Sequence, residues 1–237
     1  MSVFLDTPSL TKRPNSAEIP PLENGDQLTA TEFLRRFEAM PDLKKAELIQ
    51  GQVYMSSPVR FDQHADPDGI VQGWLFTYAA HTPGVKNATN GTTKLSPDDV
   101  PQPDASLRLA PECGGQSHID ADGYLRGAPE LVVEIAASSA SIDVRKKRET
   151  YRLAGVREYV VWRTRDAAID WWVLEEDEYR PLQPGPDGIF RSRVFPGLWL
   201  DGTALMEQDA SRLLAVCQQG VASEEHAGFR AKPPAMK

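Results

Sequence analysis

The sequence predicts a mixed α/β domain: a central β-sheet flanked by helices, with a helix and a β-hairpin at its N-terminal end. Three observations point there. Helical and strand-like segments alternate along 237 residues, but not in strict βαβ order, and short hairpins sit among them. That pattern favours a sheet with both parallel and antiparallel neighbours over a doubly wound parallel one. The apolar runs "ELVVEIA" and "REYVVW" read as strands with a helical stretch between them.

Residues 1–26 are rich in Pro, Ser and Thr without periodicity and read as a flexible extension; residues 27–220 are expected to form the domain and 221–237 a tail. "TATEFLRRFEAMP" begins a helix, with Thr29 and Glu32 at capping-box spacing and Phe33, Leu34 and Phe37 on one face. "AELIQGQVYM" reads as two short strands turning at Gln50-Gly51. "PDGIVQGWLFTYAAHTPG" carries Ile70, Trp74 and Tyr78 at helical spacing and ends at Pro83-Gly84. "KNATNGTTKL" and "PDASLRLA" read as strands around the turn-rich "SPDDVPQ", and "HIDADGYLRGAP" as a loop. After "ELVVEIA" a helix spans 143–154, closed by Gly155 in a left-handed cap. "REYVVW" and "AIDWWVLEEDEYRPLQ" supply further strands, in which Trp171 and Trp172 are packing residues. "SRVFPGLWLD" leads into a last helix around Ala204–Gln219.

The formal charge of −8 speaks against broad, non-specific nucleic-acid binding, which rests on many Lys/Arg–phosphate contacts, but leaves room for a locally basic cleft. Cys113 and Cys217 lie far apart with no metal-type spacing. No apolar stretch approaches the roughly 20 residues needed to span a bilayer, and no signal segment opens the chain. A cytoplasmic setting is expected.

The chemistry concentrates in three charges. Strand alternation puts Val132, Glu134 and Ala136 on one face of their strand and Val133 and Ile135 on the other, so Glu134 points into a packed layer. A buried carboxylate needs a cation or donors to stay ionised. Asp104 opens "PDASLRL" behind a proline that keeps the chain extended; if its strand neighbours that of Glu134, the two acids converge. Mg²⁺ takes hard oxygen ligands of this kind, with Mn²⁺ as a substitute. On the following helix, Val144, Lys147, Tyr151 and Ala154 make one stripe, while Arg145, Arg148, Glu149 and Arg152 make a polar one. The first stripe should face the sheet and take Lys147 with it, leaving Lys146 to solvent. Each residue also has a plainer reading: Glu134 as a salt-bridged structural acid, Asp104 as a turn residue, Lys147 as its neutraliser, and "RKKR" at 145–148 as a solvated face.

These residues sit in a run that resembles the Uma2 family of restriction-endonuclease-like proteins, whose fold is that of the PD-(D/E)XK nucleases. The blocks that carry it are "AELIQGQVYMSSP", His64 at the head of a helix, "VPQPDASL", "PELVVEIAASS", "DVRKKRETYRLAGVREYVVW" and "FPGLWLD", between Leu28 and Asp201. The resemblance implies a restriction-endonuclease-like sheet and a Mg²⁺-dependent endonuclease acting on DNA. It makes Asp104, Glu134 and Lys147 the catalytic set and Asp104, Glu134 and Glu47 the metal ligands. Lys147 matches a lysine displaced from the strand onto the next helix, since the usual position, 136, is Ala. A hairpin Glu such as Glu47 is otherwise an exposed strand residue. His64 is a phosphate contact or a helix cap, and Arg145 and Arg148 are substrate contacts or surface. Two departures stand out: Ala137-Ser138-Ser139 replaces the family's Ser-Pro-Ser, and Trp162-Arg163 stands where a strand-terminal Asp is common. Enzymes of this fold often pair to cut both strands, so a homodimer is expected. The rival expectation is a non-catalytic nucleic-acid- or partner-binding protein on the same scaffold.

Overall fold

The computed structural model describes residues 19–55, 60–136 and 142–231, of which 142–144 by backbone alone. The loop Ala137-Ser138-Ser139 lies outside the described residues, as do most of the N-terminal extension and residues 232–237. The helices are α1 (Ala30–Glu38), α2 (Asp66–His81), α3 (Arg148–Ala154), α4 (Gly202–Met206), α5 (Ala210–Val221) and α6 (Glu224–Arg230). The first strands are the hairpin β1 (Ala46–Ile49) and β2 (Gln52–Met55), then β3 (Val85–Thr89), β4 (Thr93–Lys94), β5 (Ala105–Leu109), β6 (His118–Ile119) and β7 (Leu125–Arg126). The rest are β8 (Leu131–Ala136), β9 (Glu158–Arg163), β10 (Ala168–Glu175), β11 (Glu178–Pro181), β12 (Ile189–Arg191) and β13 (Trp199–Asp201).

A six-stranded sheet in the order β11-β10-β9-β8-β5-β3 forms the centre. Only β8 and β9 run parallel, joined through α3; the other pairs are antiparallel. The sheet is therefore mixed, as the broken βαβ order predicts.

Period-two alternation assigns the two faces. Leu131, Val133 and Ile135 of β8, with Val160 and Trp162 of β9, pack into the larger core under α2 and α5, alongside Trp74, Leu75, Tyr78 and Leu213. Val132 and Ala136 face the other way, into a smaller core with Tyr151, Tyr159, Val161 and Trp172 beneath α3. Both Trp171 and Trp172 are buried, in the larger and smaller core respectively. Polar handles lock α2 in place: Trp74 Nε1 donates to the Trp199 carbonyl at 2.8 Å and Tyr78 Oη to that of Pro196 at 2.9 Å.

The N-terminal helix and hairpin form a third cluster around Phe33, Leu48, Val53 and Val100. Thr29 caps α1 by accepting the Glu32 N–H at 3.4 Å, but the Glu32 carboxylate turns away to Arg35 and Arg36, so only half of the capping box forms. Gln50 and Gly51 turn the hairpin with φ of 53° and 75°, both left-handed, as a two-residue turn between twisted strands requires.

Three segments differ from expectation. "HIDADGYLRGAP" is no plain loop: β6 and β7 pair there and β7 joins β4, because Asp120 Oδ1 accepts the N–H groups of Asp122 and Tyr124 and folds the chain back. The last helix is split into α4 and α5 by Gln208 at φ 56°, after which Asp209 caps α5. Beyond it, α6 tucks His226, fully buried, against the Tyr78 ring and Thr82 Oγ1. Among the described residues no helix is long and apolar enough to cross a membrane.

Candidate active site

Glu134 lies near the end of β8 with 2 % of its surface exposed. It faces α3, and two donors from that helix meet one of its oxygens: Lys147 Nζ at 3.0 Å and Tyr151 Oη at 2.8 Å from Oε1. Lys147 and Tyr151 are one helical turn apart, so both lie on the buried face. Arg145, Lys146, Arg148 and Glu149 are exposed, which is the division of stripes the spacing predicts. Backbone of π-type, rare and common at functional sites, precedes both α2 (Phe61–Ala65) and α3 (Ile142–Lys147).

Asp104 stands immediately before β5. Ala105 pairs with Val133 in the antiparallel ladder, which sets Asp104 across from Glu134. Its Oδ2 accepts the Ile135 N–H at 2.9 Å and faces His64 Nε2 at 3.4 Å, while its Oδ1 accepts from Lys45 Nζ at 2.7 Å. The converging acids expected from the strand pattern are thus neighbours across one ladder.

Glu47 comes from β1 and is buried at 7 % exposure, not an exposed hairpin residue. Its Oε1 accepts the Gln102 N–H at 2.8 Å, and its Oε2 faces Lys147 Nζ at 2.9 Å. Lys147 therefore bridges carboxylates from the central sheet and from the N-terminal hairpin. From the start of a helix it reaches the acid that the strand carries.

The electrostatics follow from this crowding. Burial pushes the Asp104 carboxyl up, but the hydrogen bond from His64 and the charges of Lys45, His64 and Lys147 outweigh it and hold Asp104 below the usual carboxylate range. Burial likewise pulls Lys45 down, and the carboxylates of Asp104, Glu134 and Glu47 overcome that and raise it. His64 is raised chiefly by its hydrogen bond to Asp104. Asp68, beside them on α2, is raised by burial; Gln72 Nε2 ties its carboxylate, at 3.0 Å, to the Asp104 carbonyl, at 2.9 Å.

Lys45 and Tyr151 are the contacts that the three-charge reading passes over. A signal for Lys45 exists: it lies two residues before Glu47 in extended chain, so alternation puts both on one side. Tyr151 is already on the buried stripe, yet nothing in the spacing says that its hydroxyl ends on Glu134. Of the remaining candidates, His64 lies against Asp104, and the Arg148 guanidinium sits over the Trp172 ring at 5.3 Å.

The donor set suits a small, hard divalent cation: carboxylate oxygens from neighbouring strands, with Asp104 held ionised. Among the described residues, however, no three His, Cys, Asp or Glu side chains form a ready-made cation cage. Ammonium groups stand among the carboxylates instead, Lys147 between Glu47 and Glu134 and Lys45 on Asp104.

The model of the Uma2 family, described as "Putative restriction endonuclease", matches residues 30–203, well over half of the sequence. The chain belongs to the Uma2 family. Its fold is similar to that of a solved structure described as "a putative nuclease belonging to DUF820 from Anabaena variabilis ATCC 29413", with a TM-score of 0.56 and 14 % identity over 73 % of this chain and 97 % of that one. No curated protein matches the chain. Family and nuclease-like fold together support nuclease function for this Uma2 protein.

Proposed function

We propose that this Uma2 protein is a metal-dependent phosphodiesterase that cuts DNA. The observation that carries the reading is Lys147: a buried ammonium shared by Glu134 and Glu47, next to an Asp104 set across the ladder from Glu134. Three buried acids gathered where the sheet meets the hairpin are costly to keep ionised without the cations beside them. Active sites are where such groups cluster.

In this reading Asp104 and Glu134, with Glu47, hold Mg²⁺, or Mn²⁺ in its place. The bound ion supplies Lewis acidity toward the scissile phosphate and a more acidic water. Lys147 would orient the attacking water and offset the charge that develops on the phosphoryl oxygens. The Ile135 amide and His64 fix the Asp104 carboxylate, and Tyr151 fixes that of Glu134. Arg145 and Arg148, exposed on the helix that carries Lys147, contact backbone phosphates. The same reading covers a cytoplasmic homodimer whose two sites cut opposite strands, with one nuclease domain over residues 27–220 to which Leu22 and α6 also pack. The homodimer rests on analogy with the fold alone.

A second reading has one observation in its favour. The lysines already neutralise the carboxylates, so the site is satisfied without an ion, as a binding protein on the nuclease scaffold would be. Cleavage of supercoiled plasmid with Mg²⁺ or Mn²⁺ separates the two. The enzyme reading expects nicked and linear products from the native protein and none from Lys147→Met or Asp104→Asn. Absence of cutting with every divalent ion, alongside retained DNA binding, would establish the second.

A further inference from the structure

We propose that Lys45 is an internal cation that holds the Asp104 carboxylate until a divalent ion displaces it, and that this exchange sets the ion affinity of the site. The inference rests on the metal-binding reading above and assigns a role to a residue which that reading leaves out.

Four features carry it. Lys45 Nζ sits 2.7 Å from Asp104 Oδ1, while Oδ2 is engaged by the Ile135 amide and by His64, so Oδ1 is the oxygen that Lys45 holds. Second, Lys45 stands on Asp104 and lies two residues before Glu47, so its ammonium is placed within the set expected to bind the ion. A unit positive charge among these ligands repels a divalent ion strongly at short range in a partly buried site.

Third, Lys45 can leave where Lys147 cannot. Its side chain keeps 24 % of its surface exposed against 6 % for Lys147, and its second partner is the side chain of exposed Asn90 at 2.9 Å. Lys45 also lies just before β1, whose ladder with β2 among the described residues begins at Ala46. Fourth, two ammonium groups already stand among the three carboxylates, so an arriving divalent ion competes with them for the same oxygens.

Calorimetric titration of Mn²⁺ into the full chain tests this without reading activity. Native protein is compared with Lys45→Met, Lys45→Gln, Lys44→Met and Asp104→Asn, each checked for cooperative thermal unfolding. Lys44 is the adjacent lysine, bonded only outward to the Pro41 carbonyl, and its removal makes the same change in net charge. Both Lys45 variants are expected to bind Mn²⁺ on the order of tenfold more tightly, Lys44→Met as the native protein does, and Asp104→Asn far more weakly. Unchanged or weaker affinity in both Lys45 variants, with binding still lost in Asp104→Asn, overturns the role of Lys45 and leaves the metal site standing. An equal gain in Lys44→Met overturns it too, since net charge alone would explain the effect. No Mn²⁺ heat in any form of the protein overturns the metal reading and the lysine exchange with it.

Discussion

Asp104 accepts a hydrogen bond at 2.9 Å from the backbone N–H of Ile135, the residue that follows Glu134. One strand's acid is thereby fastened to the strand that carries the other, and the separation of the two carboxylates becomes a property of the sheet. Burial of Asp104 is tolerable because that amide, His64 and Lys45 all favour its ionised form.

Asp104→Asn keeps the shape but removes the charge. Cleavage should fall at least about a hundredfold, in the range seen when one preorganised electrostatic group is lost. Thermal unfolding should also shift down, because an amide oxygen can still accept from Ile135 but no longer balances the Lys45 ammonium. Plasmid nicking rates alongside calorimetry check both parts.

Lys147→Met leaves the buried carboxylates of Glu47 and Glu134 facing one another without their shared cation. Breaking a buried pair from one side costs about 3–5 kcal/mol. The variant should show a urea midpoint well below that of the native protein at neutral pH. A variant as stable as the native chain would mean that Lys147 contributes little to the site's charge balance.

Glu158 supplies a pH dependence away from the site. It is fully buried at the start of β9, where its carboxylate accepts from Ser192 Oγ and the Arg193 and Val194 amides, and burial pushes it up to about 7. An acid raised on folding is protonated in the native state at pH values where the unfolded chain has released its proton. Its contribution is thus fully present below about 4.5 and declines as pH rises through about 7. Denaturant midpoints measured from pH 5 to 8 should fall from this group in the native protein. In Glu158→Gln that component of the slope should vanish.

Arg145 is exposed on the segment that leads into Lys147. If it meets a backbone phosphate, Arg145→Ala weakens DNA binding about equally for all sequences and lowers the salt slope by about one counterion. Fluorescence anisotropy of a labelled duplex across a salt series reads it. An unaltered slope would leave Arg145 a solvated surface charge.

What the sequence by itself determined is the chemistry and its local placement. Alternation along "ELVVEIA" puts Glu134 inward, and helical spacing puts Lys147 inward and Arg148 outward; both are consequences of fixed backbone periods and need no partner. Only the tertiary structure decided which groups meet. Lys45, Glu47, Asp104, Glu134 and Lys147 span over a hundred positions, and their contacts depend on strand order, ladder register and the docking of a hairpin on the sheet. Those are settled by packing of the three cores as a whole, which no local period encodes.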